Sequence, residues 1–404
     1  YASENLRFAA NPENTGPNDG IADQILFAGT GFIGTPAGGR VNAPDLSLFE
    51  GQGGPFTFDN NGNLITQDLG TLPASFLSQG GDFVDLSAFD LLQVPIERLI
   101  LSGGVRYELT PRINFFADAK YAKTQSATAG QPTFSLPTFS PIEIQADNPF
   151  VPQELRDILA MEDVDSFFVS RTNVDQGQRR SKSDRDTVQL AIGFDGDLSP
   201  NLSYSVHYQY GRSNNTTEFI NEQITPRFNQ QLDAVLDGMG NIVCRDPSGG
   251  CMPLNVLGPN AATAEALAFS HADFVTEGVL EQNIVNAIIT GDTLGFAELP
   301  AGAIGFAAGV EYRKTEEGFL RNTGQVFPGG PIEDIQGNFD VWEVFGEISV
   351  PVLRDVAFAR EVNIEGAVRF ADYSTIGSAT TWKIGGDWAP TQDIRFRAVR
   401  SRAV

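Results

Sequence analysis

LTPRINFFADAKY, residues 109–121, and LSPNLSYSVHYQY, residues 198–210, are two versions of one pattern. Each has a short proline-marked turn followed by a run in which every second residue is apolar. Ile113, Phe115, Ala117, Ala119 and Tyr121 oppose Asn114, Asp118 and Lys120 in the first. Leu202, Tyr204, Val206, Tyr208 and Tyr210 oppose Ser203, Ser205, His207 and Gln209 in the second. Side chains alternate across a strand with period two, so each run reads as a β-strand with one greasy and one wet face. What decides the fold is whether the greasy face meets a second sheet or lipid.

Similar alternation recurs along the chain. Leu99, Leu101, Val105 and Tyr107 precede the first turn, and Val188, Leu190, Ile192 and Phe194 precede the second. Later runs carry Phe306, Ala308, Val310 and Tyr312, then Trp342, Val344, Ile348 and Val350. The last are Val362, Ile364, Val368 and Phe370, then Trp382, Ile384 and Trp388, then Ile394, Phe396 and Ala398. Several runs approach the roughly 9–11 residues that cross a membrane when tilted, longer than the usual globular strand. The connections alternate too. Short turns at 109–112, 195–201 and 389–393, with a longer one at 351–361, alternate with polar excursions near 124–184 and 214–300. Loops sorted by side in this way mark an outer-membrane barrel and have no reason to occur in a sandwich. Tyr208, Tyr210, Tyr312, Trp342, Trp382 and Trp388 fall near run ends, where interfacial rings belong, although sandwich packing would also accommodate them.

Composition narrows the function. The 404 residues hold 42 Gly and 30 Phe, and 27 Lys and Arg stand against 51 Asp and Glu, a net charge of −24. Nucleic-acid affinity is supplied largely by basic groups, so nucleic acid is excluded as a partner. No apolar stretch is long enough for a transmembrane helix. The two cysteines, in CRDPSGGC (244–251), suit a small disulfide-closed loop of an oxidising compartment better than two free thiols. With His207 and His271 the only histidines, no catalytic or metal set converges. We therefore expect no enzyme and no cofactor. NPENTGPNDGIAD (11–23) has calcium-like composition but not the spacing of a calcium loop, and GTGFIG (29–34) lacks a surrounding βαβ unit. GQRRSKSDR (177–185) is a basic cluster that reads as a solvated segment or as a contact for an anionic ligand or lipopolysaccharide phosphates.

Local signals fill in the excursions. Residues 151–163 and 259–270 have helical spacing, and FTFDNNGNLI (56–65) predicts a hairpin whose Asn61-Gly62 suits a type I′ turn. Residues 1–97 read as a Gly/Pro/Asn-rich extracellular loop region, and 98–404 as barrel strands with their large loops.

DIRFRAVRSRAV (393–404) resembles the late-barrel motif of TonB-dependent outer-membrane receptors. VWEVFGEISVPVL (341–353), AAGVEYRKTEEGF (307–319) and INFFADAKYAKT (113–124) are similar to barrel strands of that family. The 11–23 segment and the cysteine loop are similar to its extracellular-loop segments. The resemblance implies an all-β fold, an antiparallel transmembrane β-barrel of roughly 22 strands with long extracellular loops and short periplasmic turns. Family members add a signal peptide, an N-terminal plug with a TonB box, and an aromatic C-terminus. No residues here match plug or box, so the chain reads as an internal piece of the barrel.

The implied function is TonB-coupled uptake of a scarce small molecule (siderophore, corrinoid or oligosaccharide) across the Gram-negative outer membrane. Its partners would be the TonB complex, acting through the plug, and outer-membrane lipid and lipopolysaccharide. Strand parity points Arg106, Glu311, Glu343, Glu365, Arg369, Arg395 and Arg397 into the lumen. A passive porin and a secreted carbohydrate-binding β protein are the alternatives.

Overall fold

In the computed structural model, residues 7–11, 13, 16, 20, 22–42, 54–74, 77–136, 142–321 and 334–403 are described. Ten long strands form one antiparallel sheet. They are β1 (Ile96–Thr110), β2 (Ile113–Ala129), β3 (Arg180–Ser199), β4 (Leu202–Gln223), β5 (His271–Asp292), β6 (Gly305–Arg321), β7 (Ile335–Val356), β8 (Ala359–Tyr373), β9 (Gly377–Ala389) and β10 (Phe396–Arg402). Each pairs only with its sequence neighbours, a simple up-and-down meander. Among the described residues β1 and β10 do not pair, so the sheet is an open arc of a barrel wall. No described helix is long and apolar enough to cross a membrane, which strands do here instead.

Register turns separate alternating runs into one surface. Directly paired residues share a face. Phe115 pairs with both Tyr107 and Phe194, Phe194 with Val206, Val310 with Val344, and Val344 with Phe370. The greasy faces therefore merge across the sheet, and their large side chains stay exposed: Ile192, Val206, Val344, Ile364 and Val368 are among them. Among the described residues no second sheet covers this face, and in a transmembrane barrel it is the lipid-facing side.

The edge of the apolar band gives the strand tilt. Toward the long loops the band ends at Tyr121 on β2 and at Val188 on β3, which share a ladder row. It ends one row lower at Tyr210, which pairs with Leu190, and lower again at Tyr312 and Trp342. Phe370 pairs with Val344, and Trp382 with Val368, each a further row down. That is four rows of two residues over the seven steps from β2 to β9. A stagger of slightly more than one residue per strand, at ~3.3 Å rise and ~4.8 Å spacing, corresponds to a tilt of about 38°. Membrane barrels tilt by roughly 35–45°. Beyond this edge the same face turns charged at Lys123, Asp186, Arg212, Lys314, Asp340 and Asp372. The Tyr312 and Trp342 rings pack 4.5 Å apart at the edge. At the other edge the Trp388 Nε1–H donates to the Phe358 carbonyl at 2.8 Å.

Three expectations need correction. The stretch 214–300 is not one excursion, because β4 runs to Gln223 and β5 occupies His271–Asp292. The loop proper is 224–270, and 293–304 is a further connection on the short-turn side. The first excursion likewise shrinks to 130–179, since paired strands extend past the lipid band on both sides of it. The hairpin at 56–65 forms from Phe56–Phe58 and Leu64–Thr66, but not around a type I′ turn. The Gly62 N–H donates to the Asp59 carbonyl at 3.1 Å, and Gly62 takes φ +77. The Asp59 carboxylate accepts from the N–H groups of Asn61 and Asn63, at 2.8 and 2.9 Å. Capturing both donors favours a three-residue loop with a left-handed glycine. The stretch 11–23 lies largely outside the described residues.

An arginine at the centre of the lipid face costs about 2–4 kcal/mol. Val206→Arg and Ile364→Arg are therefore expected to abolish heat-modifiable, membrane-inserted protein. Ser205→Arg and Ala367→Arg, on the opposite face, are expected to assemble. Equal assembly of all four variants would contradict the assignment of faces.

Candidate functional site

Strand parity and register place Arg106, Glu311, Glu343, Glu365, Arg369 and Arg397 on the one polar face of the sheet. Three of them form a network. Arg313 Nη2 lies 2.7 Å from Glu311 and 3.8 Å from Glu343, and Arg369 is ion-paired with Glu343. The Asn286 amide donates to Glu311 at 3.1 Å. Glu343 is 4% exposed, and two guanidiniums compensate its charge. Without them a buried carboxylate would be strongly unfavourable. A concavity of about 740 Å³ opens over this network, lined by Arg313, Glu343, Phe345, Glu347, Arg369 and Lys383.

The other predicted residues stand apart. Glu365 is 3.8 Å from Lys383. Arg395 precedes β10 and bridges Asp387, at 2.6 Å, and Glu361. Arg397 pairs in register with Asp387. Arg106 lies 3.8 Å from Asp195 and stacks over the Phe116 ring at 5.5 Å. That stack has a counterpart, because Arg369 lies over Phe345 at 5.6 Å. Both rings lie across a glycine of the next strand. A Cβ at Gly193 would come 2.7 Å from Phe116, and one at Gly309 would come 2.4 Å from Phe345. Alternation alone could have assigned Phe116 and Phe345 to this face; their apolar character hid them.

The long loops build the second part of the site. They fold into a cap with its own core, which includes Val41, Phe56, Phe58, Ile142, Leu155, Phe167, Leu232 and Val256. These residues come from the N-terminal segment and from both excursions. Ser166–Thr172 pairs with Ile142–Gln145, with Phe134–Ser135 and with Arg40–Asn42. Helix α1 (Gln153–Met161) buries Leu155 and Leu159 one turn apart, and α2 (Thr225–Leu232) buries Phe228 and Leu232. Helix α3 (Ala264–Ser270) starts at Thr263, whose hydroxyl accepts from the Ala266 N–H. The spacing at 151–163 and 259–270 thus marks two real helices. In α2 only Phe228 and Leu232 supply apolar residues to the buried face, too few to reveal the helix in the sequence.

Buried polar groups hold the loops to one another. Arg171, fully buried, donates to the Val256 carbonyl at 3.1 Å and to Asp175 at 2.7 Å. Burial pulls its guanidinium below the ordinary value, and the Asp175 carboxylate opposes that pull. Asp175 also accepts from the N–H groups of Ala261 and Ala262, both at 3.1 Å. Asn148 donates to the Leu232 carbonyl at 2.7 Å. A β-bulge near the end of β4 completes the fastening. There Asn221, at φ +63, donates through its amide to the carbonyls of Gln176 and Gln178, at 2.9 and 3.1 Å.

Cys244 and Cys251 are joined by a disulfide at the base of the hairpin Ala234–Leu236/Ile242–Cys244. Arg245 within that loop contacts Asp233 at 3.0 Å and Asp147 at 2.9 Å. The basic cluster at 177–185 does not survive as a patch. Strand alternation puts Arg180 and Lys182 on one face and Arg185 on the other, and Lys182 is paired with Glu218 at 3.2 Å. Among the described residues no His, Cys, Asp and Glu group is arranged to hold a metal ion.

A meander of long tilted strands with a charged concave face and a loop-built cap is a specific architecture. The family described as TonB dependent receptor-like, beta-barrel, matches residues 144–403. The chain belongs to the TonB-dependent receptors. These barrels are structures of the bacterial outer membrane, and members of the family are receptors and transporters. No curated protein matches the chain.

Among solved structures, a ferric enterobactin receptor variant of Pseudomonas aeruginosa is 13% identical, with a TM-score of 0.41 over 76% of this chain and 33% of its own. The ferric-catecholate import receptor Fiu of E. coli is 12% identical, with a TM-score of 0.43 over 78% of this chain and 48% of its own. The RagAB peptide transporter is 9% identical, with a TM-score of 0.37 over 73% of this chain and 30% of its own. The TonB-dependent receptor chain thus spans between about a third and a half of these structures.

Removing one partner of a buried ion pair costs about 3–5 kcal/mol. Arg171→Met is expected to expose residues 130–179 to protease at a dose that leaves the parent protein intact, while the sheet's heat-modifiable migration is unchanged. An uncut cap in this variant would show that the pair does not hold the loops.

Proposed function

We propose that the protein containing this chain is an energy-coupled importer of the Gram-negative outer membrane. The observation that carries this reading is the family match over 144–403, which falls on a sheet whose concave face bears a compensated charge network. The network offers a second folded domain partners for charge-assisted hydrogen bonds, since Arg313 and Arg369 stay partly exposed. That domain is the plug of the family, outside this chain, and through it the TonB complex acts. The seven charged residues named from strand parity are lumen-facing in this reading. The cap, built from 33–42, 54–67, 134–136, 142–176 and 224–270, is the extracellular surface where a scarce small molecule binds first. Uptake of that molecule, not turnover, is the activity, and no cofactor is needed.

The loop side then faces the medium and the short turns face the periplasm. Intact cells treated with protease are expected to lose the epitope 142–176 from the outer-membrane fraction, whereas epitopes at 293–304 persist until the membrane is opened. Uptake of labelled ferric siderophores, cobalamin and malto-oligosaccharides, assayed in turn, should show one substrate that requires this protein. That uptake should stop with a proton uncoupler or loss of TonB. Uptake indifferent to both treatments would make the protein a passive channel, and a soluble location would end the transporter reading.

A further inference from the structure

The concave face is not uniform around the arc. At the height of the apolar band, β6 to β9 present Glu311, Glu343, Glu347, Arg369, Lys383 and Asp387 to the lumen side. At the same height, β3 to β5 present Gln189, Ser205, His207, Gln209 and Asn286 together with the aliphatic Ile284 and Ile288, and no carboxylate, lysine or arginine. Charge returns on β2 with Asp118 and Lys120 and on β1 with Arg106. A neutral panel three strands wide therefore lies between two charged walls.

Toward the loops the panel opens at Gly211, where a Cβ would meet nothing within 4 Å, whereas the Phe116 ring fills the space over Gly193. The panel's charged groups lie only at the two ends. Asp195 and Asp197 are near the short turns, contacting Asn114 at 3.3 Å and Ser203 at 2.7 Å. Arg185 is near the loops, donating to Asn215 at 3.4 Å. Between them the hydroxyls and amides bond to one another, as Thr187 and Ser213 do at 3.2 Å.

The two kinds of wall hold a lumenal domain differently. Hydrogen bonds to charged groups are roughly twice as strong as neutral ones. A neutral contact is readily exchanged for water. The side chains of Arg313 and Arg369 remain 34% and 44% exposed after pairing with Glu311 and Glu343. Their remaining N–H groups can bind carboxylates of an incoming domain in fork geometry.

We propose that the plug is seated against the charged wall of β6–β9 and stands off the neutral panel of β3–β5, along which the solute passes. This rests on the reading that a domain outside this chain fills the lumen. At ~4.8 Å between strands, three strands give a strip roughly 15 Å wide, enough for a small hydrated molecule. A surface of hydroxyls, amides, one imidazole and the aliphatic Ile284 and Ile288 carries no fixed carboxylate or guanidinium to hold a charged solute.

The experiment uses the full-length protein in native outer membranes, carrying one added cysteine at a time. Ser205→Cys and Gln209→Cys report the panel, Ala367→Cys and Thr381→Cys the charged wall, and Met239→Cys at the exposed cap hairpin is the surface reference. Reaction rates are measured with a cationic and an anionic methanethiosulfonate of similar size, so that wall charge cannot imitate access. Position 205 and 209 thiols are expected to react at least tenfold faster than those at 367 and 381 with both reagents. Equal slow rates on both walls, or faster reaction on the charged wall, would overturn the proposal while leaving a filled lumen. Reaction at all four positions as fast as at 239 would show an unfilled lumen and remove the parent reading with it.

Discussion

No backbone amide or carbonyl can stay unpaired inside hydrocarbon, and the structure follows from that constraint. In a chain without long apolar helices, the only way to meet it is a ladder that pairs every strand on both sides. Long strands such as β4 and β7 are the consequence, and so is the meander, because neighbours in sequence are the easiest partners to bring together. Pairing then fixes which side chains share a face. One residue of slip would send Val206 and Val344 inward and Glu343 and Glu311 into lipid, so register and membrane placement are a single choice.

Tilt is the next consequence. The apolar band crosses the ladder rows obliquely, from Tyr121 on β2 to Trp382 on β9. The same stagger carries the strand ends past the band on the loop side, where the outward face becomes charged and ion-paired, as between Lys123 and Asp184 at 3.2 Å. These protruding ends lift the cap clear of the lipid. The bulge at Asn221 is where the barrel rule gives way to the cap: the strand bends, and its amide holds the neighbouring excursion. Below, in the wall itself, Glu311, Glu343, Arg313 and Arg369 form a compensated set, and the arc is left with one face for lipid and a patterned face for whatever fills the lumen.

Strand identity was legible along most of the chain because alternation is a local signal read within a few residues. β5 was the exception. Its outward positions include Val279, Glu281, Asn283, Val285, Ala287 and Ile289, while Leu280, Ile284 and Ile288 face inward, so apolar residues fall on both faces and the alternation blurs. For the site, parity correctly grouped Glu311, Glu343 and Arg369 on one face. It could not reveal that these three meet Arg313 and Asn286 while Arg106 stands far along the sheet, since that depends on how many strands intervene.

The sequence by itself determined most of the strands, the face each of their residues takes and the position of most short turns, all matters of neighbouring residues. Only the tertiary structure decided that the loops are a folded cap and that Arg171 is buried within it. Asn42 reaches Ser170 across 128 residues of chain, and Thr172 reaches Thr35 across 137. Contacts of that span leave no periodic trace in the sequence; they exist only because the barrel first brings the strand ends together and lowers the entropy of closing such long loops.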